Sequence, residues 1–176
     1  MTALMRAATL VLAPSLLVAA TAATAHAETA RGAAAPACAR ATLGYDAHAL
    51  PPIASSVVLV TVTNKSAAAC TVDRFPTVTF AGLDGTARPV PPTQSGPRLL
   101  PAKGRLYAAL RTDDRGGSAR YVPSLAVAAN PAHPGTRFTA AAIGAPAPGI
   151  AVSDPVTTLW KKTVDEAVAA LPDDPS

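Results

Sequence analysis

Along residues 56–64, SVVLVTVTN, side chains alternate with a period of two: Val58, Val60 and Val62 fall on one side, Val57, Leu59, Thr61 and Thr63 on the other. A strand that is largely apolar on both faces belongs in the middle of a sheet. The same period returns downstream. Pro76, Val78 and Phe80 oppose Thr77, Thr79 and Ala81, and Leu106, Ala108 and Leu110 oppose Tyr107, Ala109 and Arg111. Leu125, Val127 and Ala129 alternate again, and Phe138 leads Ala140 and Ala142. Residues 41–49, with Leu43 and Tyr45, make a weaker first strand and residues 149–152 a short last one. Turns separate these runs at Asn64-Lys65-Ser66, at Asp84-Gly85, which carries a hairpin signal, and at Pro131 to Gly135. The proline-dense PVPPTQSGPRLLPAKG, residues 89–104, excludes a central strand and reads as a crossing loop with an edge strand over Arg98 to Leu100. About seven or eight short strands with no helix between them predict an all-β fold, an immunoglobulin-like antiparallel β-sandwich over residues 38–153.

The period then changes. Asp154-Pro155 sets an N-cap acid before a proline at the first helical position, and Val156, Leu159, Trp160, Thr163, Val164, Ala167, Val168 and Leu171 fall on one helical face. This predicts a C-terminal amphipathic helix over residues 154–171, followed by a tail at 172–176. Its apolar stripe has two possible uses. The preferred one is to cover an open sheet face or sandwich end; the other is to dock, through Leu159 and Trp160, on another protein or a membrane surface.

The first 27 residues carry Arg6 as their only charge, then the apolar run Ala7 to Ala23, then Ala25-His26-Ala27 before Glu28. That is the pattern of a secretory signal peptide, residues 1–27, cut after Ala27. Pro14 interrupts the run, which is too short and alanine-rich for a convincing membrane span, so no stable membrane anchor is expected after cleavage. Residues 28–37 read as a flexible arm. In an exported chain the two cysteines, Cys38 and Cys70, most economically form one disulfide. The alternatives are a zinc site recruiting His48 and His133, which lack the short paired spacing of metal ligands, and two free thiols.

A formal charge of +4, with no basic run longer than Lys161-Lys162, gives no reason to expect nucleic acid. No nucleophile elbow, zincin motif, phosphate loop or dinucleotide fingerprint occurs, so no cofactor, metal or catalytic residue is assigned and no enzyme is expected. His48 and His133 read as exposed turn residues. Binding, where it occurs, is expected on loops at a sandwich end, with Thr93, Gln94 and Ser95 in one and Asp113, Asp114 and Arg115 in the other. The adjacent acids read as a solvated turn rather than a cation site. The expected function is that of a secreted, non-catalytic binding or envelope-associated module whose partner is another envelope protein or a cell-wall component. The alternatives are an extracellular hydrolase acting on envelope material and a purely structural spacer.

Asn64-Lys65-Ser66, Cys70-Thr71-Val72, Phe75-Pro76-Thr77-Val78 and Leu83-Asp84-Gly85, together with Cys38, Leu100-Pro101-x-x-Gly104 and Leu125-x-Val127, resemble a family of secreted, mainly actinobacterial domains of unknown function. The resemblance covers Cys38 to Val152. It implies an immunoglobulin-like sandwich exported to the cell surface or medium, with no established activity. Members of that family often carry a second cysteine pair, which this chain lacks both near Arg120 to Pro123 and after Phe138. Joint loss implies bridging within each pair, hence Cys38 to Cys70. The C-terminal helix has no counterpart in the family pattern.

Overall fold

The computed structural model describes residues 34–50, 56–113 and 118–172. The stretch read as a signal peptide, the start of the arm, Asp114, Arg115 and the end of the tail lie outside them. The strands are β1 (Leu43–Ala49), β2 (Val57–Asn64), β3 (Cys70–Asp73), β4 (Thr77–Phe80), β5 (Arg88–Val90), β6 (Pro97–Leu100), β7 (Arg105–Arg111), β8 (Arg120–Val122), β9 (Ser124–Ala128), β10 (Thr136–Thr139), β11 (Ile150–Val152) and β12 (Val156–Thr158), followed by one short helix, α1 (Val164–Val168). The largest sheet has the order β1-β2-β7-β12-β5; smaller ladders are β10-β9-β4, β11-β8 and β3-β6. The fold is all-β and sandwich-like.

Alternation decides what lies inside. Leu43, Val58, Val60, Val62, Leu106, Ala108 and Leu110 from the large sheet share one core with Val72, Val78, Phe80, Leu100, Val122, Leu125, Val127 and Ile150 from the smaller ladders. The β4–β9 ladder is continued in register by the Ala81 N–H donating to the Ser124 carbonyl at 3.0 Å, while at its other end β3 is tied to the chain after β9 by the Asp73 N–H donating to the Ala129 carbonyl at 2.7 Å. Entry into β11 demands a glycine: Gly149 sits at φ +152°, and a Cβ there would stand 2.7 Å from the Val122 carbonyl oxygen.

The β2–β3 turn is organised from within. Asn64 is fully buried. Its Nδ2 donates to the Ala68 carbonyl at 2.8 Å and the Pro101 carbonyl at 3.0 Å, while its Oδ1 accepts from the Ser66 N–H at 2.9 Å and the Ser66 hydroxyl at 2.7 Å. The expected turn role of this asparagine is therefore carried out by a side chain that also reaches across to the β6–β7 connection.

Four expectations need correction. The helix expected over residues 154–171 begins only at Val164. Val156-Thr157-Thr158 is a β-branched run that favours extended backbone, and it finds two open edges, pairing antiparallel with β7 and parallel with β5. Asp154, read as the N-cap, instead sits at φ +50° in the crossing between sheets. The actual N-cap is Thr163, whose hydroxyl accepts the Glu166 N–H at 3.2 Å, while Glu166 Oε2 accepts the Lys162 N–H at 3.1 Å.

The parallel β5–β12 pair also departs from a purely antiparallel sandwich, and it gives the proline-dense stretch an edge strand, Arg88–Val90, that composition had hidden. Third, Asp84-Gly85 does not close a hairpin, because β4 pairs with β9 and β5 joins the other sheet. Last, the end of the arm is held: the Thr71 N–H donates to the Pro36 carbonyl and the Cys38 N–H to the Thr71 carbonyl, both at 2.8 Å.

Candidate functional site

On the outer face of the large sheet, alternation leaves polar side chains in rows. The β1–β2 register sets Asp46 opposite Thr61 and Gly44 opposite Thr63; the β2–β7 register sets Thr61 opposite Tyr107 and Thr63 opposite Arg105. One row is therefore Asp46, Thr61 and Tyr107, and its neighbour is Gly44, Thr63 and Arg105. In the next row, Leu59 and Ala109 are covered by Ala167 of α1, with Val164, Leu171, Leu50 and Tyr107 packed around them. The helix thus roofs part of this face and leaves the rest open.

The open part is a groove of about 430 Å³ lined by Asp46, His48, Thr61, Thr63, Arg105 and Tyr107, with Leu50, Leu59 and Val164 as its apolar wall. That volume suits a small ligand or one unit of a larger one. Lys65 lies across the bare Gly44, where a Cβ would meet its Cε at 2.5 Å, so the glycine lets the lysine stem rim the groove. His48 Nδ1 stands 3.5 Å from Asp46 Oδ2, with both side chains largely exposed. Neither supports the core. The floor offers threonine hydroxyls and a phenol, with a guanidinium at one end and a carboxylate–imidazole pair along one side.

The expected loop sites are placed differently. Thr93 Oγ1 accepts from Arg74 Nη1 at 3.2 Å, and the loop beyond it is pinned by buried Asp73, whose Oδ1 accepts the Arg74 N–H at 2.6 Å and the Gly96 N–H at 3.0 Å. Ser95 lines a shallow depression of about 250 Å³ with Asp73 and Asn130; Gln94 is exposed. Asp113 forms a bridge with Ser153 where the chain crosses from β11 to β12, and it does not line that depression. Asp114 and Arg115 lie outside the described residues.

Trp160 is 2 % exposed and belongs to the main core. Its orientation follows from a one-residue slip: Thr157 pairs with Leu110, yet Lys161, not Trp160, pairs with Tyr107. The extra residue is a bulge that turns the indole inward. At the bulge, Thr158 Oγ1 accepts the Ala109 N–H at 2.9 Å. The docking use of Leu159 and Trp160 therefore gives way for Trp160 to core packing, while Leu159 is half-buried. The covering use falls to α1.

Cys38 and Cys70 form a disulfide, and both are buried in the core. The bond ties the chain just before β1 to the first residue of β3. Among the described residues no group of three or more histidine, cysteine, aspartate or glutamate side chains could hold a metal, and no helix is long and apolar enough to cross a membrane.

A disulfide-stapled, sandwich-like domain with an open polar face on its largest sheet defines the class. Residues 38–161 match the family described as a domain of unknown function, DUF4232, and the chain belongs to that family. The match opens at Cys38 and closes at Lys161, so it includes β12 and Trp160, beyond the Val152 limit of the resemblance, and leaves α1 outside. No curated protein and no solved structure matches the chain.

Strand by strand, the sequence puts Thr61, Thr63 and Tyr107 on the face opposite the main apolar row and assigns them no role. Their polar character on an alternate face was the available signal. The missing information was which strands are neighbours.

Proposed function

We propose that the protein is a secreted, non-catalytic binding module of the cell envelope that receives an envelope glycan in the groove between β1, β2, β7 and α1. The observation that carries this reading is the row Asp46, Thr61 and Tyr107, extended by Thr63 and Arg105 and left open beside the helix. A sugar presents hydroxyls to donors and acceptors on one edge and a weakly polar face that packs on an aromatic ring. The leader pattern, the disulfide and the absence of any membrane-crossing helix among the described residues fit a chain that works outside the cytoplasm.

The test is co-sedimentation of the mature domain with cell-wall material from the producing cell, repeated after enzymatic removal of glycan or of protein. Binding that survives protease, vanishes with glycan digestion and falls at least tenfold in Tyr107→Ala or Thr61→Val supports the proposal. Binding that follows the protein fraction replaces the glycan with an envelope protein. Absence of any partner leaves the structural spacer.

The His48–Asp46 contact keeps a hydrolase as the second reading, since a carboxylate beside one imidazole nitrogen is half of a catalytic base assembly. Turnover of a glycan, peptide or ester panel that His48→Ala abolishes would establish it in place of the binding module.

A further inference from the structure

We propose a second, independent site: a pocket for a phosphate-bearing anion between Arg98 of β6, the Lys161-Lys162 pair that follows β12, and the far side of α1. The hollow measures about 530 Å³ and is lined by Arg98, Lys161, Lys162, Glu166, Ala169 and Ala170. It is distinct from the polar groove, with which it shares no lining residue.

Three cations face one carboxylate there, in a chain whose overall excess of positive charge is small. The carboxylate is already engaged, since Glu166 Oε2 accepts the Lys162 N–H at 3.1 Å. No residue among those described forms an ion pair with Arg98, Lys161 or Lys162. Arg98 Nε is buried and has no acceptor, which is costly for a charged donor and leaves the guanidinium's charge poorly compensated within the protein.

Arg98 and Lys161 are held in place by backbone pairing, and Lys162 by the bond of its N–H to Glu166 Oε2. Arg98 sits opposite Val72 in the β3–β6 ladder. Lys161 is bonded in both directions to Tyr107, at 2.7 and 3.0 Å, and Trp160 donates its N–H to the Arg74 carbonyl at 3.0 Å, which draws this segment beside the β3–β4 connection. The bulge at Thr158 matters here as well: by sending Trp160 inward it leaves Lys161 at the paired position on the outer face. An arginine fork with two ammonium groups on fixed backbone matches the oxygens of a phosphate, in which the guanidinium takes two oxygens and the lysines supply point charge. The floor of Ala169 and Ala170 is small and apolar, leaving room for the group that carries the phosphate.

The experiment is calorimetric titration of the mature, disulfide-bonded protein with inorganic pyrophosphate at low and at physiological salt, beside flotation with phosphatidylglycerol vesicles. Saturable binding of one pyrophosphate that weakens with salt, and weakens at least tenfold in Lys161→Gln and in Arg98→Gln, is the expected result. Lys162→Gln, at an exposed position, is the variant that keeps the test valid if Arg98→Gln fails to fold. Vesicle flotation that is lost in the same variants identifies the source of the phosphate as lipid headgroups, and pyrophosphate binding alone identifies a soluble ligand. Either supports the site. No saturable binding in either arm, or binding unchanged in Lys161→Gln and Lys162→Gln, overturns it. Tyr107→Ala serves as the cross-check, since loss of glycan binding in that variant with pyrophosphate binding intact separates this site from the groove.

Discussion

Thr158 and Ala109 are joined by a hydrogen bond in which a side-chain oxygen, at 2.9 Å, takes the amide proton that a strand carbonyl would otherwise accept. Because the pairing of β12 with β7 slips by one residue here, the threonine hydroxyl is what keeps the ladder closed. Thr158→Val retains shape but strands a buried N–H, and is expected to lower stability by about 1–3 kcal/mol. Thr158→Ser keeps the oxygen and is expected to cost about 1 kcal/mol through its lost methyl. Urea denaturation of the two variants checks the order.

Asn64 holds two stretches of chain together with both ends of its amide. Asn64→Ala leaves two carbonyls and two Ser66 donors without that partner in a dry site, so a loss of about 2–4 kcal/mol is expected. Asn64→Asp replaces the donor with an acceptor facing carbonyl oxygens and is expected to be worse at neutral pH. Thermal unfolding at pH 4 and pH 7 distinguishes them, since protonation relieves only the aspartate variant.

The disulfide closes a loop whose ends are 32 residues apart. Replacing both cysteines by alanine is expected to lower stability by about 3–4 kcal/mol through the freedom returned to the unfolded chain. Both sulfurs belong to buried residues. Because the sulfurs are bonded to each other, intact mass after alkylation without reductant is expected to show no label, and because they are buried, reduction is expected to require denaturant.

Tyr45 reaches from β1 across the sandwich, its hydroxyl accepting the Ala129 N–H at 3.0 Å. Burial raises its pKa above the ordinary 10.0, opposed by that hydrogen bond and by the charge of Arg40. The folded state thus holds the phenolic proton more tightly than the unfolded state does. Its contribution to stability is complete below the unfolded value and is lost as pH rises through the folded one. Stability is expected to fall above about pH 10, with a weaker fall in Tyr45→Phe, measured by urea midpoints across the alkaline range.

Trp160, the sole tryptophan, reports on the bulge. Its emission is expected to be blue-shifted and shielded from iodide in the isolated protein, as its burial requires. A red-shifted, quenchable spectrum would mean that the indole is turned outward and the slip in register is absent.

The long strands were legible in the sequence because each holds three or more alternating apolar positions: Val58, Val60 and Val62 in β2, Leu106, Ala108 and Leu110 in β7. β3, β8 and β12 hold only three or four residues each, too few for a period to stand out. Prolines hid them further. Pro76 precedes β4 and Pro123 separates β8 from β9, and at each the chain moves from one ladder to another. A residue without an N–H suits that handover, since no ladder bond is forfeited. Composition reads the same prolines as loop. The helix reads too long in the sequence because Val156, Leu159 and Trp160 fall in helical spacing behind Asp154-Pro155, whereas the β-branched Val156-Thr157-Thr158 favours a strand and Thr163-x-x-Glu166 marks the helix start. The groove was illegible for another reason. Asp46, Thr61 and Tyr107 meet only through two strand registers, and no local pattern records who neighbours whom.

The position of β12 also makes the large sheet depend on the far end of the domain. β7 ends at Arg111, but its second neighbour begins only at Val156. Without that stretch, the large sheet has a raw border of unpaired amides along its middle strand, and the main core lacks its indole. The Cys38–Cys70 clasp lies wholly upstream of it and does nothing to close that border. Anything that interrupts the chain before Trp160 therefore leaves a half-finished sheet prone to stick to its neighbours.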